Sequence, residues 1–175
     1  MHEFIENFTD VSLDQLRDAI DFEQRSVTVY GKRYPQPRLT AWYGPVDYTY
    51  SNLTWEAREL PPLLLELQEA VQAHVGERLP TVLANLYRDG SDKIGWHADD
   101  EELFGEDAVI ASLSFGAARD FKLRRKDRSE QTDLTLTHGS LLVMPRGMQR
   151  TWEHSLPARK RVTEPRINLT FRSLV

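Results

Sequence analysis

The sequence contains no cysteine among its 175 residues. This excludes disulfides, thiolate nucleophiles, iron–sulfur clusters and Cys-ligated zinc. Any metal held by the chain must use His, Asp or Glu, a donor set that points to iron, manganese, magnesium or a His/carboxylate zinc site. No run approaches the roughly 18 consecutive apolar residues of a membrane-spanning helix, so no membrane association is expected. Residues 1–10 are acidic and hold no basic stretch followed by an apolar one, so no secretory signal is expected. The chain reads as intracellular, cytoplasmic if bacterial and nuclear possible if eukaryotic. Basic residues are in the minority, 22 Lys+Arg against 27 Asp+Glu, which argues against an avid general binder of polyanions. What remains is an ordinary globular composition, 40% hydrophobic and 28% charged. The length fits a single domain, residues 1–175, able to bury roughly 70% of its unfolded surface.

Charge is unevenly spread. Residues 1–118 carry 9 basic and 21 acidic side chains, whereas residues 119–175 carry 13 basic and 6 acidic. From Gln24 to Val46 there is no acidic residue, but there are Arg25, Lys32, Arg33 and Arg38 together with Tyr30, Tyr34, Trp42 and Tyr43. Cations interleaved with aromatics suit phosphates and stacked bases; a solvated hairpin with packed tyrosines is the plainer alternative.

Ser12-Leu13-Asp14-Gln15 has the form of a capping box and predicts a short helix to about Ile20. Ser26–Tyr30 is β-rich, Gly31-Lys32 is a turn signal, and 33–37 carries two prolines. This predicts an exposed hairpin with Tyr30-Gly31 at its tip. Pro61-Pro62 opens a second helix, with Leu63, Leu64, Leu67, Ala70, Val71 and His74 on one face and Gly76 ending it. Beyond Pro80 the pattern changes. Thr81–Tyr87, Ala108–Phe115, Asp120–Arg124, Leu134–Thr137, Leu141–Met144 and Arg166–Arg172 read as strands separated by turns such as Asp89-Gly90 and His138-Gly139. Early helices followed by many short strands predict a mainly β fold, a jelly-roll or barrel backed by flanking helices.

The last strand is the most informative. Alternation puts Ile167, Leu169 and Phe171 on one face and Arg166, Asn168, Thr170 and Arg172 on the other. The polar face is either an anion cradle or a sheet surface facing water, since a guanidinium grips a carboxylate through two parallel bonds. His97-Ala98-Asp99 is the second feature, because residues i and i+2 of extended chain project to one side. With five His and 13 Asp in the sequence, such a pair arises by chance about one time in three, so it needs a third ligand. His138, a turn residue, and His154 are the candidates; His74 belongs with the apolar helix face and His2 with the terminus. Two His and one carboxylate with open positions form the facial triad of non-haem Fe(II) oxygenases. Such an iron takes a co-substrate as electron donor, and the dicarboxylate 2-oxoglutarate matches an arginine cradle.

Further motifs surround these residues. They are Asn85-Leu86-Tyr87, Asp89-Gly90, and Gly95-Trp96-His97-Ala98-Asp99-Asp100-Glu101. Ser112–Gly116 and Arg119–Phe121 follow, then His138–Met144, Trp152–Pro157 and Pro165–Arg172. In order and spacing the set resembles the AlkB family of Fe(II)/2-oxoglutarate-dependent dioxygenases. The region Val27–Ser51 is similar to the nucleotide-recognition part of members that repair double-stranded DNA. The resemblance implies a double-stranded β-helix (jelly-roll) core over residues 80–175, with a nucleotide-recognition hairpin and lid over 24–60. It implies that His97, Asp99 and His154 bind iron. Arg166 would pair with a carboxylate of 2-oxoglutarate, with Arg172, Asn85, Tyr87, Asn168 and Thr170 completing that pocket.

On the substrate side it implies that Tyr48, Tyr50 and Ser51 line a base pocket and that Asp100 or Glu101 accepts a hydrogen bond from an exocyclic amine. Tyr30 and Gly31, with Lys32 beside them, would form a wedge entering the duplex. Tyr30 stands where the family pattern carries Phe. The implied activity is oxidative demethylation of 1-methyladenine and 3-methylcytosine, in DNA ahead of RNA, by a monomer using Fe(II), O2 and 2-oxoglutarate. The alternative is a 2-oxoglutarate-dependent hydroxylase of a protein or small molecule with the same core.

Overall fold

The last strand, Arg166–Arg172, carries two faces of different chemistry, and both are buried. The computed structural model describes residues 2–50, 53–105 and 107–175, with the side chains of Thr28, Val29 and Tyr50 outside the description. In chain order the elements are β1 (Glu3–Ile5), α1 (Leu13–Ala19), β2 (Ser26–Val29), β3 (Lys32–Pro35), β4 (Leu39–Tyr43), β5 (Tyr48–Tyr50), β6 (Leu53–Trp55) and α2 (Pro62–Val75). They continue with β7 (Thr81–Tyr87), β8 (Ile94–His97), β9 (Ile110–Gly116), β10 (Arg119–Arg125), β11 (Gln131–Leu136), β12 (Ser140–Met144), α3 (Met148–Thr151), β13 (Trp152–Leu156) and β14 (Arg166–Arg172). The major sheet has six antiparallel strands in the order β1-β12-β9-β14-β7-β4, and the minor sheet four in the order β11-β10-β13-β8. β1 and β4, both before residue 80, are thus strands of the major sheet.

β14 lies in the middle of the major sheet and pairs along its whole length with both β7 and β9. All seven of its residues are buried, so the sheet surface facing water is excluded for Arg166, Asn168, Thr170 and Arg172. Ile167, Leu169 and Phe171 pack with Val82, Ala84, Leu113 and Phe115 against Leu16 of α1 and Leu64, Leu67 and Val71 of α2. The opposite faces of the two sheets meet in a second core. Leu83, Ile110, Leu142 and Met144 come from the major sheet, and Phe121, Leu123, Leu136 and Leu156 from the minor one. Two facing antiparallel sheets with helices on one outer face form the expected jelly-roll.

The local signals account for the helices. Ser12 Oγ accepts from Gln15 N at 3.3 Å while Gln15 Oε1 accepts from Ser12 N at 2.9 Å. α2 has proline in its first turn and ends at Gly76, whose N–H donates to Gln72 O at 2.8 Å from a left-handed conformation. Its face is rotated from the expected one. Ala70 and His74 are exposed, and Gln68 is buried instead. Gln68 can turn inward because its Nε2 donates to Leu79 O at 2.9 Å. His74 packs edge-on against Phe8 outside the core.

Strand limits shift where pairing decides them. β10 and β11 form one hairpin from Arg119↔Leu136 to Arg124↔Gln131, so both outrun their apolar residues. β2 and β3 pair from Ser26↔Pro35 to Val29↔Lys32. Tyr30 (φ 49) and Gly31 (φ 75) form the two-residue loop between them. Two successive positive φ angles are the signature of a type I′ turn, an uncommon state for an aromatic residue. The Tyr30 ring at this tip is fully exposed, at 102%.

Candidate metal centre and co-substrate pocket

β8 and β13 are neighbours in the minor sheet, with His97 directly opposite His154. Asp99 follows two residues after His97, just beyond the strand end. Ligand atoms of His97, Asp99 and His154 all lie within 4.8 Å of one another, the only such grouping of three metal-ligating side chains among the described residues. His138 is not part of it; its Nδ1 accepts from Gly116 N at 3.0 Å in the turn before β12.

The surroundings prepare each of the three as a ligand. His97 Nδ1 sits 2.8 Å from Gly95 O. A protonated Nδ1 makes that bond, and in the tautomer with its proton on Nδ1 the Nε2 lone pair is available to a metal. His154 stacks on Phe121 at 5.3 Å. Burial, above all, lowers its pKa to about 3, which keeps the imidazole neutral. Asp99 is buried, and burial alone would raise its pKa. The Arg172 guanidinium, through its charge and its hydrogen bonds, reverses that and holds the carboxyl well below the usual carboxylate range. Arg172 donates to Asp99 Oδ2 from Nε at 3.1 Å and from Nη2 at 2.9 Å, while Oδ1 faces His97 Nε2 at 3.6 Å. Arg172 therefore orients a metal ligand. The backbone N–H of Asp99 donates to Gln149 Oε1 at 3.0 Å, which fixes the loop.

Next to this centre Arg166 is 2% exposed, and no carboxylate pairs with it among the described residues. Its Nη2 donates to Ser114 Oγ at 2.9 Å, its guanidinium lies 5.3 Å from the Tyr87 ring centre, and its Nε has no acceptor among the described residues. A buried cation lacking its counter-ion is costly until an anion arrives. Asn168 donates to Ser112 Oγ and Leu113 O and accepts from Thr170 Oγ1. Asn85 Oδ1 is occupied by Arg38 Nε at 2.9 Å and Thr40 Oγ1 at 3.3 Å, which leaves an amide donor to offer the pocket. His97, Asp99, His154, Asn85, Tyr87, Arg166, Asn168, Thr170 and Arg172 all line one cavity. Two imidazoles, an ionised carboxylate and a buried arginine without a described counter-ion are a donor set that fits Fe(II) and a dicarboxylate.

The proposed substrate residues separate into groups. Tyr48 and Glu101 line the same cavity, and Tyr48 Oη donates to Glu101 Oε1 at 2.9 Å. Tyr48 is buried, with its ring stacked on Trp42 at 4.6 Å and on Trp55 at 5.7 Å. Trp42 thus packs in the inter-sheet core, and Tyr43 in the core under the helices. Asp100 turns outward to Lys126, 3.1 Å away. Tyr30, Gly31 and Lys32 stand exposed on the hairpin, away from this cavity. The Tyr50 side chain and Ser51 lie outside the described residues.

Sequence reasoning missed several members of the site. Gln36, Arg38 and Thr40 enter the cavity from one face of β4 and the segment leading into it. Their period-2 spacing was a usable signal, masked by Pro35 and Pro37. Gln149 sits in a four-residue helix and gives no pattern to read. Trp55 lines the cavity from β6, whose three residues are too short for a periodicity.

Comparison with known proteins agrees with this geometry. The chain is 40% identical over 172 residues to human alpha-ketoglutarate-dependent dioxygenase alkB homolog 3, covering 93% of this chain and 60% of that protein. It is 43% identical over 159 residues to the human DNA oxidative demethylase ALKBH2, covering 85% and 61%. The chain thus spans about three-fifths of the length of these relatives. A solved structure described as that of OsALKBH1 superposes with a TM-score of 0.66 at 19% identity, covering 98% of this chain and 97% of that one, a likeness of fold. The sequence profile of the 2OG-Fe(II) oxygenase superfamily matches residues 6–172, and the chain belongs to that superfamily.

Proposed function

We propose that this protein is an Fe(II)- and 2-oxoglutarate-dependent demethylase of nucleic acid, acting as a monomer on 1-methyladenine and 3-methylcytosine, in DNA ahead of RNA. The observation that carries the reading is the unpaired buried Arg166 beside the His97–Asp99–His154 grouping, inside a cavity that also reaches Tyr48 and Glu101. The names of the related human proteins, a dioxygenase and a DNA oxidative demethylase, point the same way. When bound, iron and 2-oxoglutarate would supply the oxidation of an N-methyl group by O2, with succinate, carbon dioxide and formaldehyde as products.

The residues of the chain do the rest. His97, Asp99 and His154 hold the metal, and Arg172 and Gln149 keep Asp99 in place. Arg166 neutralises a carboxylate of 2-oxoglutarate, with Asn85, Tyr87, Asn168 and Thr170 around it. Glu101 accepts from the exocyclic amine of the base and favours the positive charge of a methylated ring. Tyr48 holds Glu101 rather than offering an open ring face. Tyr30, at the tip of the hairpin, occupies the gap in the stack when a base is extruded, and Lys32 approaches phosphate. A methyl on the Watson–Crick edge already breaks the pair, which eases extrusion. The basic aromatic hairpin favours nucleic acid over a protein or small molecule.

The test is mass spectrometry of oligonucleotides carrying 1-methyladenine or 3-methylcytosine, single-stranded and duplex, incubated with protein, Fe(II), 2-oxoglutarate and ascorbate in air. Loss of one methyl mass, dependent on 2-oxoglutarate and absent for Asp99→Ala, supports the reading. Succinate formation with no change in any oligonucleotide rejects these two bases as substrates and moves the reading to RNA, a protein or a small molecule.

A further inference from the structure

Four buried polar atoms that lack a hydrogen-bond partner among the described residues belong to side chains lining the central cavity: Arg166 Nε, Arg172 Nη1, Trp55 Nε1 and Glu101 Oε2. The first two lie on the strand that forms the co-substrate and metal side. The other two flank Tyr48, whose ring stacks on Trp55 and whose hydroxyl donates to Glu101 Oε1. Trp55 is 3% exposed, and Arg25 lies over its ring at 5.0 Å, so the indole is held in place. A buried indole N–H without an acceptor and a buried carboxylate oxygen without a donor each carry a desolvation cost until a ligand pairs them. The base end of the pocket therefore offers one donor and one acceptor.

We propose that Trp55 and Glu101 read the two groups flanking the methylated ring nitrogen and set a preference for 3-methylcytosine over 1-methyladenine. The inference rests on the demethylase reading above. In 3-methylcytosine the methylated N3 stands between the exocyclic amine on C4, a donor for Glu101 Oε2, and the carbonyl on C2, an acceptor for Trp55 Nε1. In 1-methyladenine the methylated N1 stands between the amine on C6 and a C2–H, which accepts nothing. Glu101 is satisfied by both bases and Trp55 only by the cytosine. Both 3-methylthymine and 1-methylguanine turn a carbonyl toward Glu101, so acceptor meets acceptor and both are rejected. A site that loses one buried hydrogen bond to the wrong ligand discriminates by about tenfold or more.

The experiment offers the iron- and 2-oxoglutarate-loaded enzyme two otherwise identical single-stranded oligonucleotides in competition, one with each base. Anaerobic equilibrium binding of each oligonucleotide is measured in parallel. The wild-type protein is expected to favour 3-methylcytosine by about tenfold in both readouts. Trp55→Phe keeps the ring and removes the N–H; it should bring the ratio close to one. Glu101→Gln should weaken both bases by similar factors and leave the ratio standing. Equal or reversed preference in the wild type overturns the proposal without reference to any variant. So does a ratio that Trp55→Phe leaves unchanged. If the wild type removes neither methyl while still converting 2-oxoglutarate, the demethylase reading falls with it, an outcome distinct from an altered ratio.

Discussion

At the residue scale, burial shifts the titration of both Arg166 and His154. Arg166 is a buried guanidinium without a carboxylate partner among the described residues, and burial lowers its pKa to about 10. Arg166→Met removes that charge and fills similar volume. The KM for 2-oxoglutarate should rise at least about 100-fold, the scale of losing one partner of a buried charge pair. The melting temperature without 2-oxoglutarate should not fall, since an unpaired buried charge is removed. A lower KM effect together with a large loss of stability would assign Arg166 to the scaffold.

His154 gives a pH dependence with a definite sign. Its folded pKa, about 3, lies below the ordinary 6.5. Between these values the unfolded chain binds the proton and the folded one does not, so stability falls as pH drops from about 6.5 toward 3. Asp99 and Asp92 act in the same direction, but only below the ordinary carboxylate value of 3.8. His2 is also lowered, so the isolating control is His154→Asn. Thermal melts of the metal-free protein should decline steadily from about pH 7 to 5, and the variant should flatten that slope. The roles at this scale were legible only where a pattern repeats. Alternation in 166–172 separated the core face from the polar face because β14 is a central strand with both faces buried. It could not say that Arg172 serves Asp99 while Arg166 stays unpaired, since that depends on a contact between residues 73 positions apart.

At the element scale, the two strands that carry the histidines were the hardest to read. β8 is Ile94-Gly95-Trp96-His97 and β13 is Trp152-Glu153-His154-Ser155-Leu156. Both hold residues selected for the site or the surface and show no clean alternation; β13 is a strand through its pairing with β10, and β8 through its pairing with β13. The Asp89-Gly90 turn was legible, but its purpose was not. A Cβ on Gly90 would lie 1.8 Å from Arg159 O and 2.8 Å from Val162 O. Gly90 N donates to Val162 O at 2.8 Å, Arg159 N donates to Gly90 O at 2.6 Å, and Arg119 Nη2 bridges Asp92 O and Pro157 O. Glycine is thus required so that the loop between β13 and β14 can rest on this turn. Gly90→Ala should destabilise the protein by about 2 kcal/mol or more and free the loop. Limited trypsin digestion would then cut after Arg159, Lys160 or Arg161 well before the wild type is cut. An unchanged digestion pattern would mean that the loop is held by Arg119 alone.

At the scale of the whole molecule, the charge asymmetry of the sequence does not translate into a basic surface. The excess cations of residues 119–175 are largely committed. Lys122 pairs with Asp133, Arg124 with Glu153, Arg125 with Glu130 and Lys126 with Asp100. Arg146 pairs with Glu77, and Arg159 with Asp120. On the hairpin arm Arg25 is likewise held by Glu23 at 2.9 Å, whereas Lys32 and Arg33 are exposed and pair with no described residue. A net charge of -5 repels a polyanion at long range. The attraction must then come from the few cations that an acid does not already hold. Each phosphate contact contributes about 0.7 to the slope of log K against log salt on single strands and about 0.9 on duplex. Lys32→Gln with Arg33→Gln should therefore flatten that slope by roughly 1.4 on single strands and 1.8 on duplex. Arg25→Gln should leave it nearly unchanged. Fluorescence anisotropy of a labelled oligonucleotide from low to physiological salt reads the slope directly. A double variant with the parent slope would move the phosphate contacts off the hairpin and onto cations that must first leave their carboxylates.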